Sequence, residues 1–401
     1  MSTSSPSPAL TVTAYSEWLD PRFRRLLFFF MAYGYAFSAL LLVPKFATLV
    51  LHASPAEVGQ IGSAPVIACL LTAPLCGRWL DRGSYRNAMI AGAFVIAAST
   101  LGFGYLETVG PAVYVLRGLQ GAGNTLLVAG GQSFVTRIVP PERHGRAFGT
   151  TGAASLLMNA LASLTTEHLA DAYGWGFAFE VAGGAMFLAL ALAILEPYVP
   201  SERDVPAPTS VGSAALRRHA GGYATFAAGA GFGMLVTFTQ PYAISQGASH
   251  VASLFVGYTL TALCVRLGLG GLVDRWGRRR TALAALTVYS GTVLAASALR
   301  PEMLLVLGFG FGIAHGLVWP ALTALAVESA PAGRVGSALA GMQAWFATGT
   351  MFAVWVGGRL VDARGYPFAF TFGATTVATG VLALWLSGRK RPAPANLDTG
   401  P

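Results

Sequence analysis

Arg117 and Gln120 lie one helical turn apart in an otherwise apolar run, Arg117-Gly-Leu-Gln120-Gly121-Ala-Gly123. A charge inside a membrane segment costs about 2.5–3.5 kcal/mol on insertion scales. Such a guanidinium is expected to face the protein interior or a wet cavity, with Gln120 sharing a water or substrate contact. The alternative is snorkelling toward the outer headgroups. Glu180 is a second isolated charge. It reads either as a protonatable site or ion-pair partner for Arg117 or Lys45, or as a buried structural group. His315 stands mid-run on a face shared with Gly308, Phe311, Gly312 and Trp319. An imidazole there can titrate near neutral pH, or can serve as a satisfied packing residue. Tyr33, Tyr35, Phe37, Phe232, Phe238, Trp319, Trp345 and Phe346 suit an apolar binding chamber or ordinary packing. These residue types bind solutes and move protons. No nucleophile motif, phosphate loop or metal-ligand spacing accompanies them, and Cys69, Cys76 and Cys264 lack paired spacing, so neither enzyme nor cofactor is expected.

A second group of charges is duplicated. Gly77-Arg-Trp-Leu-Asp81-Arg82-Gly83 and Gly270-Gly-Leu-Val-Asp274-Arg275-Trp-Gly277 repeat one pattern 193 positions apart. Asp171-Ala-Tyr-Gly-Trp-Gly-Phe-Ala-Phe179 and Asp362-Ala-Arg-Gly-Tyr-Pro-Phe-Ala-Phe370 repeat at a spacing of 191. Landmarks at such constant offsets imply a duplicated unit. Asp81 and Asp274 sit among arginines at helix ends, where a carboxylate can meet a helix N-terminus of the other half. The plainer reading is a solvated basic loop that fixes topology.

The elements that must position these residues are membrane helices. The chain of 401 residues is 54% hydrophobic and 11% charged, against roughly 25% charged in soluble domains. Twelve apolar spans are predicted at about 26–51, 57–80, 87–106, 111–138, 147–170, 175–196, 221–245, 251–272, 281–299, 303–327, 335–360 and 367–387. In lipid such runs must be helical, because no water satisfies the backbone. With the N-terminus inside, twenty of the 26 basic residues fall on the cytoplasmic side and only Arg300 and Arg364 in outer loops, a positive-inside bias. The net charge of +9 is then a topology signal and a contact with anionic lipid, not a nucleic-acid footprint. The expected organisation is a cytoplasmic, disordered tail at 1–22, a six-helix bundle at 23–196, a polar linker at 197–220, a second bundle at 221–388 and a cytoplasmic tail at 389–401.

Over nearly its whole length the chain resembles the major facilitator superfamily. The loop at Gly77, Asp81, Arg82 and Gly83, its copy at Gly270, Asp274, Arg275 and Gly277, and Arg117-Gly-Leu-Gln120-Gly carry the likeness. It is similar to bacterial drug and metabolite exporters, including arabinose-efflux-like members, at Gln240-Pro-Tyr-Ala243, Arg266 and His315-Gly-Leu-Val-Trp-Pro320. The resemblance implies an all-α integral membrane fold of twelve transmembrane helices in two six-helix bundles, with a pseudo-twofold axis along the membrane normal. It implies a monomer in the bacterial inner membrane that takes a small-molecule substrate and is driven by the proton gradient, without cofactor. It ties Arg117 to proton coupling or substrate binding and places the helix of His315 along the cavity. It also pairs Asp81 with the helix start near Arg334 and, by symmetry, Asp274 with the start near Arg146. The stretch Asn159-Ala-Leu-Ala-Ser163-Leu-Thr lacks the Gly-Pro of drug–proton antiporters. The likeness to exporters makes efflux the first expectation, and the missing Gly-Pro keeps uptake of a sugar-like or carboxylate solute as the second, with a membrane enzyme or receptor the last. Cysteines placed at 107–110 are expected to label from outside and cysteines at 202–205 from inside; the same side for both overturns this topology.

Overall fold

The computed structural model of the protein describes residues 20–140, 143–197, 221–268, 275–330 and 335–387. Each predicted apolar span falls on a helix. α1 (Pro21–Ala39) and α2 (Val43–Leu49) form the first, joined by a 3-10 turn at Leu40–Leu42. α3 (Pro55–Asp81), α4 (Tyr85–Phe103), α5 (Pro111–Ile138), α6 (His144–Tyr173) and α7 (Trp175–Leu195) complete the first half. The second half holds α8 (Gly222–Ser245), α9 (Ala252–Gly268), α10 (Arg278–Ala295), α11 (Leu304–Glu328), α12 (Val335–Arg364) and α13 (Tyr366–Ser387). Apart from Pro197, the predicted linker lies outside the described residues, as do 1–19 of the N-terminal tail and the C-terminal tail.

Local chemistry sets where helices begin. Ser54 caps α3 through a reciprocal box with Glu57, and Pro55 occupies the first turn, where its missing N–H would have no partner anyway. The Asp20 side chain accepts from the Arg22 amide at the start of α1. Among the described residues, eight helical stretches are long and apolar enough to cross a membrane. α9, at 17 residues, is shorter. α5, α8 and α12 contain more Gly, Thr and Gln; α8 is buried along nearly its whole length, and a helix surrounded by protein needs less apolar surface than one facing lipid.

The duplication is visible in the packing. α1 packs on α6 and α7 as α8 packs on α12 and α13; α3 packs on α5 as α9 does on α11; α4 packs on α5 and α7 as α10 does on α11 and α13. Each half buries its own apolar cluster, one around Phe29, Phe46, Phe103 and Phe179, the other around Phe238, Tyr289, Phe311 and Phe370. The halves meet through two long contacts, α3 with α12 and α6 with α9, which the repeat relation exchanges. Equivalent helix ends lie on the same side, so the relation is a rotation about an axis running with the helices.

Four turn residues reinforce the repeat. Gly83 and Gly277 close the duplicated loops at φ 75° and 86°, and Gly174 and Gly365 link the last two helices of each half at φ 88° and 83°. Left-handed φ disfavours residues with a Cβ, which explains why glycine recurs there. Close approach dictates another set: a Cβ on Gly312 of α11 would lie 2.6 Å from the Tyr258 carbonyl oxygen of α9. Gly312→Val is expected to destabilise the second half by about 1–3 kcal/mol, whereas Gly291→Val, whose added Cβ meets nothing within 4 Å, leaves thermal stability in detergent nearly unchanged. Equal melting of both variants would show that the seam is not tightly packed.

Candidate functional site

Lys45, on α2, and Glu167, on α6, form a buried ion pair of 2.6 Å with side chains 2% and 4% exposed. Both reach into the second half. Lys45 Nζ donates to the Ser249 carbonyl oxygen at 2.7 Å. Glu167 Oε1 and Oε2 accept from the Val251 and Ala252 amides, each at 2.8 Å. Those amides open α9, where the first N–H groups have no partner within the helix and the helix dipole favours a negative charge. The carboxylate thus serves as both counter-ion and cap. Further contacts join the halves at this end: Gln240 Nε2 donates to the Leu41 carbonyl oxygen at 2.8 Å, the Ala56 amide donates to Asp362 Oδ2 at 3.2 Å, and His250 lies 3.4 Å from Asp171. A Cβ on Gly358 would meet the Pro55 carbonyl oxygen at 2.5 Å. The sequence reading did not single out Glu167 and offered Lys45 only as a partner for Glu180, although a glutamate in the fifth predicted span was the available signal.

Toward the opposite end α3 loses its cover. Val58, Gly59, Ile61 and Ser63 are buried, whereas Leu71, Ala73, Pro74 and Leu75 are exposed. Asp81 is exposed at the end of α3 and makes no hydrogen bond or ion pair among the described residues. Arg82, Arg146 and Arg275 are also exposed, and a Cβ on Gly77 would meet nothing within 4 Å. Gly270, Asp274 and Arg334 lie outside the described residues. Within the first half at this end, Arg25 Nε bonds Glu196 Oε1 at 3.1 Å.

Between the two ends lie polar groups without full partners. Arg117 is half-buried and turned into the α3–α5 contact, donating to Gln120 Oε1 at 2.8 Å and to the Ile61 carbonyl oxygen at 3.4 Å. Gln120 is fully buried, and its Nε2 has no acceptor. One turn on, Asn124 Oδ1 accepts from the Tyr33 hydroxyl at 2.8 Å, and Tyr33 stacks on Phe37. In the second half His315 is 7% exposed and its Nδ1 is unpartnered. Six aromatic rings surround it, with centroids from 5.3 Å (Phe232) to 6.4 Å (Tyr289), Trp319 at 6.1 Å among them. Glu180 does not join either group. It is exposed on α7, on the side away from buried Ala178, Phe179 and Ala182, and the Lys45 it was weighed as pairing with is held by Glu167.

A helical membrane protein of two repeated halves, sealed at one end around an interior with unpaired polar groups, has the architecture of a secondary transporter. The family profile of the Major Facilitator Superfamily matches residues 26–267 and 223–401, and the chain belongs to that family. It is 25% identical over 389 residues, 92% of either chain, to the uncharacterized MFS-type transporter YhhS of Escherichia coli (strain K12). The YhhS protein of Salmonella paratyphi C (strain RKS4594) is likewise 25% identical, over 385 residues and 92% of either chain. Among solved structures, the nucleoside transporter NupG aligns with a TM-score of 0.77 at 13% identity, over 92% of this chain and 100% of that one. An auto-inhibited POT family peptide transporter aligns at 0.71 and 16% identity, over 94% and 99%. These two establish a shared fold.

Removing one charge from a buried pair costs more than the pair contributes, because the other is left unpaired. Glu167→Gln is therefore expected to loosen the seal. In a background lacking Cys69, Cys76 and Cys264, a cysteine at Thr237, beside Gly62 at the seam, should label from the Lys45 side roughly 5- to 150-fold more, the span of typical coupling energies. Unchanged labelling would mean the apolar contacts alone hold this end shut.

Proposed function

We propose that the protein is a twelve-span secondary transporter of the bacterial inner membrane that works by alternating access, exporting a small organic molecule from the cytoplasm in exchange for protons. Both termini face the cytoplasm in this reading, as the basic-residue bias requires, so the Lys45–Glu167 end is the outer gate and the Asp81 end the inner one. The observation that carries the proposal is the asymmetry of the seam. Hydrogen bonds from the Lys45–Glu167 pair and close backbone contacts join the halves at one end, while at the other α3 loses its cover and Asp81 has no partner among the described residues. A rocking motion that breaks the first set and brings Asp81 and Asp274 to helix starts near Arg334 and Arg146 would present the interior to the outside.

Arg117 is the coupling residue in this proposal. It is an expensive charge held, among the described residues, by the neutral Gln120 and Ile61 oxygens, so its interactions change strongly when a solute binds. The missing Gly-Pro between Asn159 and Thr165 keeps uptake of a sugar-like or carboxylate solute as the competing direction. Inverted vesicles with an imposed pH gradient separate the two. Export predicts gradient-driven solute accumulation in the vesicles, accompanied by proton release from them, and predicts that Arg117→Ala abolishes it while the protein stays inserted and folded. Wild-type transport by that variant removes Arg117 from the mechanism, and solute moving together with protons establishes symport.

A further inference from the structure

Arg117 brings a positive charge to the interior without a negative one. Of its five N–H donors, those engaged meet only the Gln120 amide oxygen and the Ile61 carbonyl oxygen. Among the described residues no carboxylate pairs with it: Glu167 is committed to Lys45 and the α9 amides, and Glu180 faces away on α7. Gln120 Nε2 adds a second donor with no acceptor, fully buried, on the same face of α5. Two donors without an anion, in surroundings where unpaired charge is costly, form a receptor for an oxyanion.

The opposing half supplies a complementary surface. Phe232, Trp319 and Phe346 are half-buried and pack edge-on or tilted around the His315 ring, whose Nδ1 is unpartnered. The two poles are close in depth. Arg117 holds the Ile61 carbonyl; the next residue, Gly62, abuts Thr237 across the seam, a Cβ there lying 3.5 Å from the threonine methyl. Phe232 is five residues from Thr237 on α8, about 7.5 Å along a helix. A cationic donor pair on one half and a cluster of half-buried rings on the other therefore lie at similar depth on either side of the seam.

We propose that this site takes an organic anion whose carboxylate-like group binds Arg117 and Gln120 and whose flat apolar body packs among Phe232, Trp319 and Phe346 beside His315. This rests on the transporter reading above and names the substrate class of its central site. Neutral solutes of the same shape use the rings alone, and cations meet the Arg117 charge.

Equilibrium binding tests the assignment without any gradient. Naphthoate, naphthylmethanol and naphthylmethylammonium share a ring system and differ in the charge of the head group. Calorimetry on the purified full chain is expected to show naphthoate bound at least about tenfold more tightly than either other probe, a difference expected of one charge-assisted contact. Arg117→Gln should reduce that preference to near one, Arg117→Lys should retain most of it, and Phe346→Ala should weaken all three probes while keeping the order. Equal binding of the three probes, tighter binding of the ammonium, no binding of any of them, or a preference that survives Arg117→Gln overturns the proposal. Proton-driven transport of another solute by a protein without the naphthoate preference would leave the export reading standing and sink this one. The naphthoate preference in a protein that shows no proton-driven transport would do the opposite.

Discussion

The buried contact between Lys45 and Glu167 is the constraint around which the two halves are arranged. Each charge pairs with the other, yet each also spends a bond on the opposite half, so the pair cannot be satisfied unless α2, α6 and the start of α9 stay together. Desolvating two charges is costly, and only good geometry with further hydrogen bonds offsets it. The α9 N-terminus supplies those bonds. The interaction is therefore conditional: favourable with this end shut, and in the proposed alternating-access cycle replaced by hydration when it opens. That conditional character is what a gate requires, since a permanent apolar interface would hold the halves in one arrangement.

Around that contact the duplicated scaffold supplies rigidity. Small residues let α3 approach α12 and α9 approach α11 at backbone distance, and the left-handed glycines at 83, 174, 277 and 365 make the same turns in both halves. Two stiff units joined mainly along α3–α12 and α6–α9 can rotate against each other with little internal change. In the proposed function the sequence differences between the halves carry the activity. The first half has the Arg117–Gln120 donors; the second has the ring cluster around His315.

The polar interior follows from the same division. Eight helical stretches are apolar enough to cross a membrane, while α5, α8 and α12 fall short of that, α8 being buried along nearly its whole length. Arg117 is tolerated there because α3 offers a backbone carbonyl and Gln120 an amide oxygen. Neither neutralises it, which in the proposed function leaves the charge available to an anionic ligand.

Much of this protein was legible in one dimension. Hydrophobic run length located the helices, because lipid leaves the backbone no alternative, and the repeated Gly-x-x-(Leu/Val)-Asp-Arg loops revealed the duplication, whose closing glycines share a positive φ. The cost of an isolated charge singled out Arg117, and helical spacing put His315 on a face with Phe311 and Trp319. What spacing cannot supply is the direction in which each helix face points relative to helices distant in the chain. Glu180 and Glu167 are equally conspicuous as acids in apolar runs, yet α7 turns Glu180 outward and α6 turns Glu167 onto Lys45, 122 positions away. The ring cluster at His315 likewise draws on α8, α9, α10, α11 and α12. Only the packing of separate helices decides which charge is buried with a partner and which is left without one, because burial and pairing depend on neighbours that the sequence orders far apart.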